Sequence, residues 1–197
     1  ADRYDRWLLS RFRPHLGERL LEVGTGFGNF KRYLPQTARC ISIDLDPEVV
    51  RRARAGDPAG TYLEGDIADP EVAAALAPRR LDTVLCLNVL EHVADHERAL
   101  ANMLGLLVPG GRLLLLVPAC PALYGDLDRL AGHHRRYRRR DLARLAAALP
   151  CRVRVLEHFN PLGGLGWWLN RFRRHRDLDS RGVNRQIVLF DRFLPGL

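Results

Sequence analysis

The chain has 197 residues, of which 47% are hydrophobic and 27% are charged, and this composition suits one compact domain with a buried core. It excludes a wholly disordered chain, and no apolar run approaches the roughly 18 residues that span a membrane. The net charge of +8 belongs to the second part of the chain, because residues 118–197 carry 16 arginines against 7 acidic residues. That part suits an anion, a nucleic acid or a lipid headgroup, although a chain-wide preference for arginine over lysine weakens this indication.

Short β-type runs alternate with helical patterns along the chain, which is typical of a parallel sheet covered on both faces. A leading helix is predicted over 4–13. Strands are predicted at 19–23, 39–43, 61–64, 81–86, 112–117 and 151–157. Helices are predicted between them, near 28–34, 47–54, 70–76, 93–107 and 140–148. The fold class is therefore α/β, a doubly wound, mostly parallel sheet in a single domain over residues 1–197.

Two connections are longer than the others and are expected to be functional. The first, at about 118–139, leaves the carboxyl end of the fifth strand, where ligands bind in doubly wound sheets, so it is predicted to be a lid over a substrate. The second, at about 160–185, is rich in Gly, Trp and Arg. Segment 160–176 within it is predicted first as a cover over the pocket and second as a peripheral membrane contact, and a dimer contact is a further alternative.

Glycines and acids follow successive predicted strands. The segment LEVGTGFGNF (21–30) spaces its glycines as G-x-G-x-G, whereas a dinucleotide fingerprint needs a third glycine at position 29, which is Asn29. This spacing counts against NAD and FAD. Asp44 ends the second strand, where an acid can bind ribose hydroxyls, and Asp66 follows the third strand. Either acid alone would fit a helix cap, which is the role predicted for Asp46 and Asp69.

These segments, with LDTVLCLNVLEHVADHERAL and LVPGGRLLLLVP, resemble the successive motifs of class I methyltransferases that use S-adenosylmethionine (SAM). They are most similar to the small-molecule branch that includes ubiquinone- and menaquinone-type enzymes. The resemblance covers 19–118 and implies a Rossmann-like fold, SAM as cofactor, S-adenosylhomocysteine as product and no metal. The implied cofactor-binding residues are Glu22, Gly24, Thr25, Gly26, Gly28, Asp44, Leu45, Asp66, Ile67, Leu87 and Asn88.

The acceptor end of the site has three candidate catalytic residues. His92 follows the fourth strand and is predicted to act as a base or to orient the acceptor, or else to pack under the next helix. The spacing of His92 and His96 could hold a metal on a helix, but Asp95 is predicted to begin that helix and no third ligand stands nearby, so no metal is expected. His133 and Tyr137 are the other two candidates.

The predicted lid contains Gly132 to Tyr137, which resembles a G-H-x-R-R-Y segment of a bacterial subgroup of these enzymes. A pair of guanidinium groups beside His and Tyr suits a carboxylate or phosphate. The candidate substrate-binding residues are Tyr124, Arg135 and Arg136. The alternative is a solvated basic loop, or arginines paired with Asp126, Asp128 and Asp141.

The sequence thus predicts a SAM-dependent enzyme that methylates a small, anionic or lipid-linked acceptor by in-line displacement. The alternatives are an RNA methyltransferase, which lacks support from any N/D-P-P-Y/F-type tetrapeptide, and a non-catalytic SAM-binding module. Nucleic acid is not expected as a partner, and no oligomeric state is indicated. Widely spaced cysteines in apolar runs predict buried free thiols and a cytoplasmic location, or one peripheral to the inner face of the membrane. Relatives end in a seventh strand, which is either missing here or formed by 186–190.

Overall fold

The computed structural model describes residues 2–26, 31–34 and 38–159. The chain divides into two units, Asp5–Leu116 and the combination of Ala1–Tyr4 with Val117–Leu197. The strands of the described residues are β1 Arg19–Val23, β2 Arg39–Asp44, β3 Thr61–Glu64, β4 Leu81–Leu87 and β5 Leu107–Leu116. Their helices are α1 Asp2–Phe12, α2 Pro47–Gly56, α3 Pro70–Leu76, α4 His96–Gly105, α5 Asp126–Leu130 and α6 Arg139–Ala147.

All the strands belong to the unit Asp5–Leu116 and form one parallel sheet in the order β3-β2-β1-β4-β5. In the centre of the sheet, Leu20 of β1 pairs with Cys40 of β2 on one side and with Thr83 of β4 on the other. The order reverses direction between β1 and β4, which is the feature of a doubly wound sheet. The predicted α/β class with a parallel sheet is confirmed.

The two central strands are nearly continuous apolar runs because both of their faces are covered. Leu20 and Leu21 of β1 and Val84, Leu85 and Cys86 of β4 are fully buried or almost so. At about 25 cal/mol per Å² of apolar surface removed from water, side chains of this kind supply most of the folding free energy. The sheet is therefore a rigid platform for the loops at its carboxyl edge.

Aspartates cap the N-termini of three helices that follow strands of the sheet. Asp46 accepts a hydrogen bond from Glu48 N at 2.8 Å, and Asp69 accepts one from Glu71 N at 2.8 Å. Asp95 accepts from Arg98 N at 3.0 Å at the start of α4. Each bond satisfies one of the N–H groups that a helix leaves without an internal partner. The predicted capping roles of Asp46 and Asp69, and the predicted start of a helix at Asp95, are confirmed.

The predicted sixth strand over 151–157 is wrong, since residues 151–159 belong to no strand. The Arg-Val alternation has the period of a strand, but a strand also needs a neighbour that accepts its hydrogen bonds, and a local pattern cannot supply one. Val153 and Val155 are accordingly exposed. The predicted strand at 186–190 and the predicted excursion at 160–185 lie outside the described residues.

Other details also differ from the predictions. Strand β5 begins at Leu107, before the predicted start at residue 112, and a shift in its register with β4 between Leu81 and Thr83 accommodates the extra residues. The described part of the predicted helix at 28–34 is a single 3₁₀ turn, Lys31–Tyr33. Cys86 is buried as predicted, but Cys120 and Cys151 are exposed. In the described part of the chain, no helix has both the length and the apolar character of a bilayer span.

Candidate functional site

The carboxyl edge of the sheet gathers most of the predicted cofactor residues. Gly24 follows β1 and donates from its backbone N to Ile43 O of β2 at 2.8 Å. Gly65 follows β3 and donates to Asp44 O at 3.0 Å. Because the strands are parallel, the residues that follow β1, β2, β3 and β4 all lie along this one edge.

The loop after β1 needs glycine at Gly24 and leaves space above Gly26. Both residues have positive φ, +82° at Gly24 and +50° at Gly26, a region that other residues seldom adopt. A Cβ at Gly24 would stand 2.2 Å from Val89 Cγ2, whereas a Cβ at Gly26 would meet no atom of the described residues within 4 Å. A ligand can therefore approach the backbone at Gly26. Gly28 lies outside the described residues.

Asp44 joins the end of β2 to this loop. Its Oδ2 accepts a hydrogen bond from Gly26 N at 3.1 Å, and its Oδ1 accepts one from Asp46 N at 3.0 Å. The next residue, Leu45, is 68% exposed, which is unusual for a large apolar side chain. The edge thus presents a carboxylate and an apolar surface side by side.

Glu22 is a buried carboxyl group just before the loop, with 2% of its surface exposed. Its Oε2 accepts a hydrogen bond from Ser42 Oγ at 2.6 Å, while Oε1 and the nearby Thr25 Oγ1 are buried without a hydrogen-bond partner in the described residues. Burial raises the pKa of Glu22 to about 7, against the opposing effects of the Ser42 bond and the charge of Lys31. The loop therefore stands over polar atoms whose hydrogen-bonding capacity is incompletely used.

The predicted cofactor residues that follow β3 and β4 differ in how far they are buried. Asp66 Oδ1 accepts from Ala68 N at 2.8 Å and closes the turn into α3, while the side chain of Ile67 is buried. Leu87 is the buried last residue of β4, and Asn88 is exposed with φ at +53°. A non-glycine residue in this left-handed region occurs often at functional sites.

The two histidines after β4 do not share a helix. His92 is exposed and ends a 3₁₀ turn, Leu90–His92, whereas His96 is the first residue of α4. The spacing of four residues therefore does not place them on one helical face. Glu91, which the sequence analysis missed, is fully buried beside the last part of β4. The pattern NVLEH offers no sign of this, because a glutamate next to a histidine is usually exposed.

A second group missed by the sequence analysis anchors the segment that follows the glycine loop. Lys31 Nζ lies 2.9 Å from Asp57 Oδ2 and 4.2 Å from the centre of the Tyr62 ring. The Tyr62 hydroxyl donates to the same Asp57 oxygen at 2.9 Å. Burial lowers the pKa of Lys31, but the bonds to Asp57 and Tyr62 raise it by more, so that it lies above its ordinary value. The 3₁₀ turn is thereby tied to the loop between α2 and β3.

The predicted lid belongs to the other unit and is organised around Asp128, which is 0% exposed. Its Oδ1 lies 2.8 Å from His133 Nδ1 and accepts a hydrogen bond from Arg136 Nε at 2.8 Å. Its Oδ2 accepts one from Gly125 N at 3.0 Å. The Tyr124 hydroxyl donates to His133 O at 2.7 Å. The segment predicted to be a lid is thus a folded structure rather than a plain charged loop.

The hydrogen bonds to Asp128 distinguish Arg136 from Arg135, the two arginines that were predicted to bind the substrate. Arg136 is 8% exposed, and besides Asp128 it donates from Nη1 to Ala119 O at 3.2 Å. The alternative in which an arginine pairs with Asp128 therefore describes Arg136, whose guanidinium serves the lid itself. Tyr137 is also buried, and its backbone bonds to Pro118 and Cys120. Arg135 is only partly buried.

Known proteins resemble this chain in both sequence and fold. The ubiquinone biosynthesis O-methyltransferase of Xanthomonas euvesicatoria pv. vesicatoria is 37% identical over 101 residues, a match that covers 50% of this chain and 42% of that protein. The chain thus spans less than half the length of this curated relative. The structure of the YcgJ protein from Bacillus subtilis aligns with a TM-score of 0.61 and 19% identity, over 74% of this chain and 67% of that one.

A second solved structure, the TehB-like SAM-dependent methyltransferase from Corynebacterium glutamicum, aligns with a TM-score of 0.53 and 23% identity, over 73% of this chain and 70% of that one. At these identities the structural matches establish the fold alone. The family model described as a methyltransferase domain matches residues 2–180, which is most of the chain. The protein therefore belongs to the methyltransferase-domain family.

Proposed function

We propose that this chain binds SAM at the carboxyl edge of its sheet and transfers the methyl group to a small, anionic or lipid-linked acceptor. The observation that carries the proposal is the loop from Gly24 to Gly26, whose backbone is open to a ligand at Gly26 and is joined to Asp44. Membership of the family supports the choice of SAM over other nucleotides. The spacing of the glycines argues against NAD.

The residues present fit the cofactor. Among the described residues the space above Gly26 is open, which would allow a ligand to approach the main chain closely. The buried Oε1 of Glu22 and Oγ1 of Thr25 provide polar atoms near the loop that can bind a ligand or its water. The exposed face of Leu45 is where an apolar ring would gain most from contact.

Each part of the cofactor is assigned to its own group of residues. Gly24, Gly26 and Gly28 would hold the methionine part, with Glu22 supporting the loop. Asp44 would bind the ribose, while Leu45, Asp66 and Ile67 would bind the adenine. Leu87 and Asn88 would line the region near the sulfur. When bound, SAM supplies a methyl group on a sulfonium, which an acceptor nucleophile displaces.

The acceptor is proposed from the name of the curated relative and from the arginine at position 135. The name of the curated relative indicates that it methylates an oxygen, and a hydroxyl acceptor would need its proton removed. Arg135 remains a candidate for binding an anionic group on such an acceptor. Hydroxybenzoates combine a hydroxyl with an anionic carboxylate, and their prenylated derivatives add a lipid tail, so these are the compounds to test first.

Calorimetric titration of the full chain with SAM, S-adenosylhomocysteine and NAD tests the cofactor. We expect both sulfur nucleotides to bind and NAD not to bind. Asp44→Asn should weaken SAM binding about 10- to 100-fold, which is the value of a hydrogen bond to a charged group. Asp69→Asn is the matched control, because it also follows a strand at this edge and Asn caps a helix as well as Asp does. Equal SAM affinity in the Asp44 variant would overturn the assignment of the site.

A further inference from the structure

A cavity lies at the amino edge of the sheet, at the opposite ends of the strands from the glycine loop. Its volume is about 530 Å³, and its described lining includes the first residues of four strands, Arg19, Arg39, Thr61 and Leu81. This lining belongs entirely to the unit Asp5–Leu116. At about 3.3 Å per residue, the length of β1 separates the cavity from the start of the glycine loop by about 13 Å. The cavity is therefore distinct from the proposed cofactor site.

The register of the sheet places two arginines of this lining side by side. Arg19 of β1 and Arg39 of β2 are partners in the parallel pairing, so their side chains leave the same face of the sheet from strands about 4.8 Å apart. Like charges in such a position destabilise a sheet. Arg19 lies 3.7 Å from Asp82, whereas Arg39 has no ion-pair partner within the described part of the chain. An anion bound between the two guanidinium groups would remove their repulsion.

Two further cations, Arg79 and Lys31, add to the positive charge of the cavity. Among the described lining residues the only carboxylate is that of Asp57, and it is already engaged. Its Oδ2 lies 2.9 Å from Lys31 Nζ and accepts a hydrogen bond from the Tyr62 hydroxyl at 2.9 Å. The charge of the arginines therefore exceeds what the acids around the cavity balance, and this excess suits an anion with more than one negative charge.

The chemistry of the lining favours a diphosphate over a single carboxylate or phosphate. A guanidinium group binds phosphate oxygens in a bidentate manner, and two neighbouring guanidinium groups can each bind one of two linked phosphoryl groups. Ile41 and Leu81 add apolar surface, and the volume lies within the range of roughly 300–1,000 Å³ that is usual for small-molecule sites. We propose that this cavity binds a diphosphate group, carried by a small organic ester or free as inorganic diphosphate. The inference does not depend on the proposed function, since no residue of this lining is assigned to SAM.

Calorimetric titration of the full chain with uridine diphosphate, inorganic diphosphate and inorganic phosphate tests the proposal. We expect at least one of the diphosphates to bind saturably, with a Kd below about 1 mM and about tenfold or more below that for inorganic phosphate. Tighter binding of uridine diphosphate would assign the site to an ester, and equal or tighter binding of inorganic diphosphate would assign it to the free anion. Uridine is used because the proposed cofactor site takes adenine.

Arg39→Gln should weaken diphosphate binding about 10- to 100-fold, because it removes a hydrogen bond between charged groups. Arg112→Gln is the matched control, since it removes the same charge from an exposed arginine of β5 that does not line the cavity, and it should leave the Kd unchanged. An unchanged Kd in Arg39→Gln, or equal weakening in both variants, would overturn the proposal. Absence of saturable binding, or equal affinity for inorganic phosphate, would do so too. Displacement of the diphosphate by S-adenosylhomocysteine would place the anion at the carboxyl edge and would also refute this site.

Discussion

Replacing Glu22 by Gln tests the electrostatic cost of a carboxyl group under the glycine loop. The side chain is 2% exposed, and its pKa of about 7 lies well above the ordinary value of 4.5. Glutamine keeps the shape of the side chain and an oxygen that can accept from Ser42 Oγ, but it cannot ionise. The substitution therefore removes the charge with little change in packing.

The size and sign of the effect follow from proton linkage. A raised pKa means that the folded chain binds more protons than the unfolded chain between about pH 4.5 and 7, so the stability of the unaltered chain falls as the pH rises through this window. At about 1.4 kcal/mol per pKa unit, the whole shift corresponds to about 3 kcal/mol. The free energy of unfolding of Glu22→Gln, measured relative to that of the unaltered chain, is therefore expected to be about 3 kcal/mol higher at pH 8 than at pH 4.5.

Urea unfolding at these two pH values, without SAM, measures this difference. The comparison of one variant at two pH values cancels any fixed cost of the amide group. Glu64→Gln is the control, since Glu64 is the exposed last residue of β3 and should show nearly the same free-energy difference at both pH values. If Glu22→Gln also changed stability equally at both pH values, the buried carboxyl would not be the cause and the reasoning would be refuted.

Three further outcomes are expected. Gly26→Ala should weaken SAM binding while costing about 1 kcal/mol of stability, whereas Gly24→Ala should cost more, because its Cβ would collide with Val89. Calorimetry measures the binding and urea unfolding measures the stability. The opposite ranking in stability would contradict the loop geometry. Arg135→Ala should leave the Kd for SAM unchanged and lower methyl transfer to hydroxybenzoates, and a loss of SAM affinity would speak against its assignment to the acceptor. Lys31→Met should lower the urea midpoint, because it removes the ion pair with Asp57; an unchanged midpoint would show that this pair does not anchor the turn.

The arrangement at the carboxyl edge of the sheet was predictable because its signals are local and ordered along the chain. A strand, a glycine loop and an acid at the next strand end can each be recognised in the sequence, and parallel pairing brings them together without further information. The bounds of β1 and β3 were predicted to the residue. The caps at Asp46 and Asp69 were predictable for the same reason, since capping depends on residues three or fewer positions away.

The interior of the lid could not be predicted, because it depends on which charges are buried. The sequence shows arginines and acids close together along the chain, and either solvent or pairing would satisfy them. Only the structure shows that Asp128 and Arg136 are the buried pair, while Asp126 pairs at the surface. The false strand at 151–157 has a related cause, because strand formation depends on a neighbour that lies elsewhere in the chain.

The central position of β1 has a consequence for how the chain folds as it is synthesised. Leu20 of β1 can pair with β2 early, but its other neighbour is Thr83, about sixty residues later. Until β4 has been made, β1 has exposed apolar side chains and one edge of unpaired backbone N–H and C=O groups. Such a strand is prone to associate with other chains. Folding of the sheet must therefore wait for a late, long-range pairing, and such chains fold slowly. The nascent protein is expected to depend on chaperones until β4 has left the ribosome.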